Sequence, residues 1–336
     1  MMFVSCWFVL AACVSGSAVT HRQEKWNLQM VISSHGSRTI NDQSSHAHDI
    51  SIDPVSYVHI PKTGSGIATA VAHLLCGDKI RKGKIVKEPD QRLMNRCGPA
   101  HFQRFDIGHK PLKPGVDLSK VVTVLRQPRQ RIISGYFHSF HDCRPLQRKY
   151  NFSVTDSTPK LPMGSNTINS SLLMEYADCV QACAINIITG HWCSHSDQDP
   201  SEQIAQAIDT VNKIGYVGIT EQWELSICLF HAMYGGECLP AEFERVRPGL
   251  ERKDTSDYDE SAFGDWFPDD QLLYNVARKR FEQQMIEYNV NRHSCATRYC
   301  PKARRSFGYA KDSTISFLSA HGHQSGPLSL ARSHST

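Results

Sequence analysis

Five consecutive apolar or β-branched residues, Val121-Val122-Thr123-Val124-Leu125, run without alternation straight into the polar stretch Arg126-Gln127-Pro128-Arg129-Gln130-Arg131. A strand with one wet face alternates, so an unbroken run predicts burial on both faces, as in a parallel sheet. Parallel strands need crossover connections, and the flanking sequence supplies helical ones. A second run, Tyr57-Val58-His59-Ile60, gives way to Pro61-Lys62-Thr63-Gly64-Ser65-Gly66, and then Ile67, Ala70, Val71, Leu74 and Leu75 recur at helical spacing. A third, Tyr216-Val217-Gly218-Ile219-Thr220, leads into a predicted helix over 221–234. Further helices are predicted at about 171–188, 201–213 and 269–289, the last with Leu272, Leu273, Val276, Phe281, Met285 and Ile286 as its apolar stripe. The alternation predicts one α/β domain over 53–300 with a central, mainly parallel sheet flanked by helices.

Sheets of this kind bind ligands at the carboxyl ends of their strands, and residues 61–66 and 126–134 both fall there. A Gly-containing loop that opens a helix gathers backbone N–H groups, and with the helix dipole these favour a phosphate or sulfate. Lys62 adds a mobile cation, and Thr63 and Ser65 add hydroxyls. Lys62 precedes both glycines, so the GxxxxGK[ST] order of nucleotide triphosphatases is not met.

The ends of the chain carry a different signal. Residues 1–19 hold no charged side chain, and their apolar run leads into Ser15, Gly16, Ser17 and Ala18, which reads as a cleaved secretory signal or a short uncleaved anchor. Residues 20–52, rich in His, Ser, Asn and Gln, read as a stem or disordered linker, and 301–336 as a disordered tail. Of twelve cysteines, Cys6 and Cys13 lie in the leader and ten remain, an even number that suggests up to five disulfides in an oxidising compartment. Cys295 with Cys300, and Cys228 with Cys238, are near enough in sequence to close local loops. No CxxC pair occurs, so no metal site is expected. Sequons at Asn151 and Asn169 fit lumenal glycosylation. A net charge of +4 gives no reason to expect nucleic acid as a partner.

The order P-K-T-G-S-G resembles the phosphosulfate-binding loop of sulfotransferases that use 3′-phosphoadenosine 5′-phosphosulfate (PAPS), usually written PKTGGTS. L-R-Q-P-R-Q-R-I-I-S-G-Y is similar to LRDPVERFLSGY, the family segment that binds the 3′-phosphate, with Arg126 and Ser134 at the same eight-residue separation. Y-V-G-I-T-E-Q-W-E-L-S-I-C-L-F and D-D-Q-L-L-Y-N-V-A-R-K-R-F resemble later family segments, so the likeness spans most of 53–290. The style is that of the lumenal carbohydrate sulfotransferases, the uronyl and heparan sulfate 2-O- and 6-O-type enzymes in particular. The resemblance implies a P-loop-like three-layer fold, PAPS as co-substrate without a metal, a glycan acceptor and a Golgi or secreted location, with a membrane met only through the possible anchor. It implies that Pro61, Lys62, Thr63, Gly64, Ser65, Gly66, Arg126 and Ser134 bind the nucleotide, with Lys62 also catalytic. Relatives carry the general base on a His or Glu between the two loops, which implies His109 in F-D-I-G-H-K first and His101 second, with His59, inside the first strand, third.

Three departures stand out against the family pattern. Gly66 and Ile67 replace hydroxyl residues, Gln127 replaces Asp or Glu, and A-C-A-I-N-I-I-T-G replaces the Gln/Arg helix NxQxRxLxG. Arg129 and Arg131 read as solvent-facing. The basic run Lys79, Arg81, Lys82, Lys84 and Lys87 reads as a solvated face, or as a contact for an acidic glycan. The alternative from another class is a secreted, non-catalytic nucleotide- or glycan-binding protein that keeps the fold.

Overall fold

The structure is a computed structural model that describes residues 56–80, 108–150, 170–194, 196–244 and 266–309. The expectations for the leader, the stem, the basic run beyond residue 80, His101, both sequons and the tail beyond 309 lie outside the described residues.

Strands β1 (Ser56–Val58), β2 (Val121–Leu125) and β3 (Tyr216–Ile219) form a parallel sheet in the order β1-β2-β3. Tyr57 pairs with Val122, and Thr123 with Val217. All residues of β2 are buried, which explains why its run is unbroken. Its one polar side chain, Thr123, donates to Val58 O at 3.0 Å. Between β1 and β2 lies helix α1 (Ile67–Ile80), and β2 leads into α2 (Pro128–Tyr136). Next come α3 (Arg144–Lys149), α4 (Ser170–Val180), α5 (Cys183–Ile188) and α6 (Pro200–Lys213), all before β3. Helices α7 (Trp223–Tyr234) and α8 (Pro268–Glu287) both pack on β3.

Among the described residues β3 is an edge strand, and an uncovered edge exposes a row of unpaired backbone groups. Two side chains answer it. Gln284 of α8 accepts from Val217 N at 3.1 Å and donates to Gly215 O. Ser226 of α7 accepts from Ile219 N and donates to Ile219 O, each at 2.9 Å. The amide and hydroxyl thus stand where a fourth strand would.

This duty changes which face of α8 is buried. The buried positions are Asp270, Leu273, Tyr274, Ala277, Phe281 and Gln284, whereas Leu272 is 46% and Ile286 82% exposed. The expected apolar stripe is therefore corrected: two of its members face outward, because polar Asp270 and Gln284 occupy the contact face. Asp270 accepts from Ala182 N at 2.9 Å and lies 3.7 Å from Arg131 NH2, and both side chains are almost fully buried. Arg131 also donates to Val180 O at 2.9 Å, so it is a buried clamp between α2, α4 and α8 and not a solvent-facing charge.

The predicted helix over 171–188 is two helices. Ala182 at φ 57 breaks it between α4 and α5, held there by the Asp270 bond. A second, smaller core gathers Ile132, Ile133 and Tyr136 of α2, Phe140, and Leu172, Leu173 and Tyr176 of α4. Gly135 lets α2 and α4 approach, since a Cβ there would fall 2.0 Å from Tyr176 Oη.

Disulfides join Cys143 to Cys179, Cys183 to Cys193, Cys228 to Cys295 and Cys238 to Cys300, and Cys76 is disulfide-bonded as well. The two suggested local loops are corrected: Cys228 and Cys238 each pair with the C-terminal segment, which folds back on α7. That segment does not end at residue 300. Residues Pro301–Phe307 form a further turn, with Ala303 and Phe307 buried against the core. Among the described residues no helix is long and apolar enough to cross a membrane.

Candidate functional site

The loop between β1 and α1 is shaped by its backbone. Lys62 adopts φ 65 and Gly64 φ 106, an alternation that can turn backbone N–H groups toward a concavity able to receive an anion. A left-handed lysine costs free energy, so the surrounding contacts must hold it there. Pro61 is buried at the turn's start, and Lys62, Gly64, Ser65 and Gly66 are half-buried. The carbonyls of Gly64, Ser65 and Gly66 accept from Ile67, Ala68 and Thr69, which opens α1 directly behind the loop. The Thr63 hydroxyl does not face the concavity. It is buried and donates to Ile60 O at 2.8 Å, so its work is to close the turn.

The β2–α2 segment lies against this loop. Arg126 donates to Lys62 O at 3.3 Å, and the Thr220 hydroxyl donates between the carbonyls of Thr63 and Leu125, 3.1 Å from the latter. One residue after β3 therefore stitches the two loops together. Its neighbour Glu221 accepts from Gln127 N at 3.0 Å through Oε1, which lies 4.0 Å from Arg126 Nε, and accepts from the Tyr274 hydroxyl through Oε2. Gln127 caps α2, its Oε1 accepting from Gln130 N at 2.8 Å, so a neutral amide fills the position of the expected carboxylate. Ser134 is half-buried roughly two turns into α2, on the same segment as Arg126.

Trp223, the first residue of α7, backs the Gly loop. A Cβ on Gly66 would lie 2.8 Å from Trp223 Cζ2, and one on Gly64 3.0 Å from Cζ3. The indole therefore requires glycine where the family pattern has a larger residue. Its Nε1 donates to Glu242 O at 3.1 Å. The Glu242 carboxylate is fully buried between two histidines, 2.6 Å from His73 Nδ1 and 2.7 Å from His231 Nε2. His231 Nδ1 lies 2.9 Å from Gly235 O, so both its ring nitrogens face oxygens. Burial pushes the Glu242 carboxyl up, but the two histidine hydrogen bonds and their charge outweigh it and hold it below the usual range.

Histidines gather beside the Lys62 loop. His59 follows β1, and its ring meets His109 edge-to-face at 4.6 Å; His109 meets His141 at 4.8 Å, and His141 meets His138 at 5.1 Å. His109 Nδ1 lies 2.9 Å from Asp142 Oδ2, and His141 Nε2 lies 3.6 Å from the same oxygen. The chain is held in unusual backbone here: Ser139, Phe140 and Asp142 are all left-handed. Burial first, then the positive charges of His109, Lys62 and His138, push His141 down to about 3 against the pull of Asp142. Burial also opposes ionisation of Asp142, yet the His109 nitrogen close beside it and the surrounding histidines hold it below its ordinary value. With the Asp142 carboxylate beside Nδ1, Nε2 is the ring nitrogen of His109 that is left for another partner.

Of the expected residues, the fold brings Lys62, Arg126 and the His59–His109 pair together through the contacts above, while Thr63 turns inward. Sequence reasoning passed over His141, Asp142, Thr220 and Glu221 as site residues. The pair His141-Asp142 directly before Cys143 was a visible signal; the role of Thr220 and Glu221 depends on contacts remote in sequence. No protein-family model, no curated protein and no solved structure matches this chain. What stands is an α/β protein with a parallel three-stranded sheet and two facing loops at its carboxyl edge.

Proposed function

We propose that this protein is a PAPS-dependent sulfotransferase acting on a glycan hydroxyl in the secretory pathway, with a P-loop-like three-layer fold. The observation that carries the reading is the Arg126 bond to Lys62 O, which locks two anion-facing loops side by side at the ends of adjacent parallel strands. The sequence resemblance assigns one loop to each end of a nucleotide with phosphates at both 3′ and 5′ positions. Four disulfides fit a secreted or lumenal setting.

In this reading the amides of residues 64–66 hold the 5′-phosphate, and Arg126 and Ser134 hold the 3′-phosphate. His109 Nε2 takes the acceptor hydroxyl proton as the acceptor oxygen bonds to sulfur, and Asp142 orients the ring and steadies the resulting imidazolium. The sulfur–oxygen bond to the 5′-phosphate breaks, and the electron pair remains on that bridging oxygen. Lys62 meets the charge that grows there, as in loose phosphoryl transfer. The products are the sulfated glycan and adenosine 3′,5′-bisphosphate.

The test is transfer of labelled sulfate from PAPS to separated glycan classes by the full chain, with adenosine 3′,5′-bisphosphate binding measured in parallel. Transfer abolished by His109→Ala, with nucleotide binding kept, supports the reading. Nucleotide binding without transfer to any class replaces it with the non-catalytic binder, and loss of both overturns it.

A further inference from the structure

We propose that His109, His141 and Asp142 form a binding site for a divalent transition-metal ion of the zinc class. His109 meets the consecutive pair His141-Asp142 from 32 positions away in the chain, and one ligand atom of each lies within 4.8 Å of the others. Asp142 Oδ2 is 2.9 Å from His109 Nδ1 and 3.6 Å from His141 Nε2. Ligands at zinc distances in a tetrahedron are separated by about 3.3 Å, a value that these two spacings bracket, and the third, between the two imidazoles, lies within 4.8 Å. Two imidazoles and one carboxylate suit zinc and its neighbours; magnesium and calcium take oxygen ligands.

Access and rigidity agree with the donor set. The side chains of His109, His141 and Asp142 are 22%, 26% and 28% exposed, while Asp142 Oδ2 itself is buried, so the rings and not the carboxylate form the approachable side of the cluster. Asp142 directly precedes Cys143, whose disulfide to Cys179 anchors it, and the His141 ring is braced by His109 and His138. Among the described residues the other cluster with a metal-like composition, His231, Cys238 and Glu242, differs on each count. It is buried, the Cys238 sulfur is bonded to Cys300, and the Glu242 oxygens already serve His73 and His231.

A metal on His109 Nδ1 puts the proton of the neutral ring on Nε2, where it can no longer accept another. The ion is then an inhibitor of transfer, a consequence that rests on the reading of His109 as base; the site itself does not.

The experiment is calorimetric titration of the full chain with zinc chloride, alongside cobalt(II) absorption spectra that report tetrahedral ligation. Wild type and His293→Ala, an exposed histidine elsewhere, are expected to show the same cobalt d–d band and the same tightest zinc event. Asp142→Asn and His141→Ala are expected to lose the band and weaken that event by about 10- to 100-fold, with unchanged circular dichroism reporting an intact fold. Equal zinc affinity and equal spectra in all four proteins overturn the site. Adenosine 3′,5′-bisphosphate binding in the same samples separates the two readings: nucleotide binding with no variant-sensitive zinc event removes this inference alone, and the converse removes the sulfotransferase reading alone.

Discussion

Glu221 Oε1 lies 4.0 Å from Arg126 Nε while accepting the N–H of Gln127 at 3.0 Å. The ion pair is loose and half-exposed, and such pairs contribute little. The backbone bond contributes more, because it fixes the turn that aims Arg126. Glu221→Ala is expected to weaken adenosine 3′,5′-bisphosphate binding about 5-fold, the worth of one net hydrogen bond. Glu221→Gln, which keeps an acceptor, is expected to stay within about 2-fold of wild type. Calorimetry on the three proteins decides it, and equal losses in both variants would show that charge and not the backbone bond positions Arg126.

Lys62 sits at φ 65, where a side chain costs free energy that glycine does not pay. Lys62→Gly is expected to raise unfolding stability by about 1 kcal/mol while transfer falls by at least about 100-fold, since the cation at the departing oxygen is lost. Urea unfolding and labelled transfer measured on one preparation test both halves. A variant less stable than wild type would mean that the Lys62 side chain makes contacts worth more than the backbone strain.

Much of this was legible from sequence where local chemistry decides the outcome. β2 spans the predicted Val121–Leu125 because an unbroken apolar run buried on both faces has few alternatives. The β1 loop and α1 followed from Pro61, Gly64, Gly66 and the helical spacing after them. What escaped depends on contacts remote in sequence. Hydropathy could not place Asp270 and Gln284 on the buried face of α8, because their partners are Ala182 and the edge of β3. The break at Ala182 was hidden for the same reason, inside apolar spacing that runs through it. Cysteine spacing favoured near neighbours, whereas the fold brings Cys295 to Cys228 across 67 residues. The Asp142 partner of His109 lies 33 positions away, beyond any local pattern.

Gly66 is fixed by Trp223, whose Cζ2 would stand 2.8 Å from an added methyl group. Both atoms are part of rigid packing, so Gly66→Ala is expected to cost about 1–3 kcal/mol by overpacking. Trp223→Leu removes the obstruction, and the double variant is expected to lose less than the sum of the single ones by about 1 kcal/mol or more. Chemical denaturation of the four proteins supplies the cycle, and strict additivity would mean that the indole does not determine glycine at this position.

Glu242 holds the same region from below, buried between His73 and His231 and tied to Trp223 through its backbone carbonyl. Its folded-state pKa lies below the unfolded value of 4.5, so the unfolded chain binds the proton more readily. The stabilisation is therefore complete above about pH 4.5 and is lost as pH falls through the lower, folded value. Glu242→Gln removes the charge while keeping size and one acceptor. At neutral pH it is expected to cost about 1–3 kcal/mol, because the amide nitrogen can no longer accept from one of the two buried histidine nitrogens. The gap to wild type is expected to narrow as pH drops below 4.5, where the native carboxylate becomes protonated and the two proteins converge in charge. Thermal unfolding followed from pH 7 to pH 3 tests the sign, and a gap that widens on acidification would show that the buried carboxyl is already protonated at neutral pH.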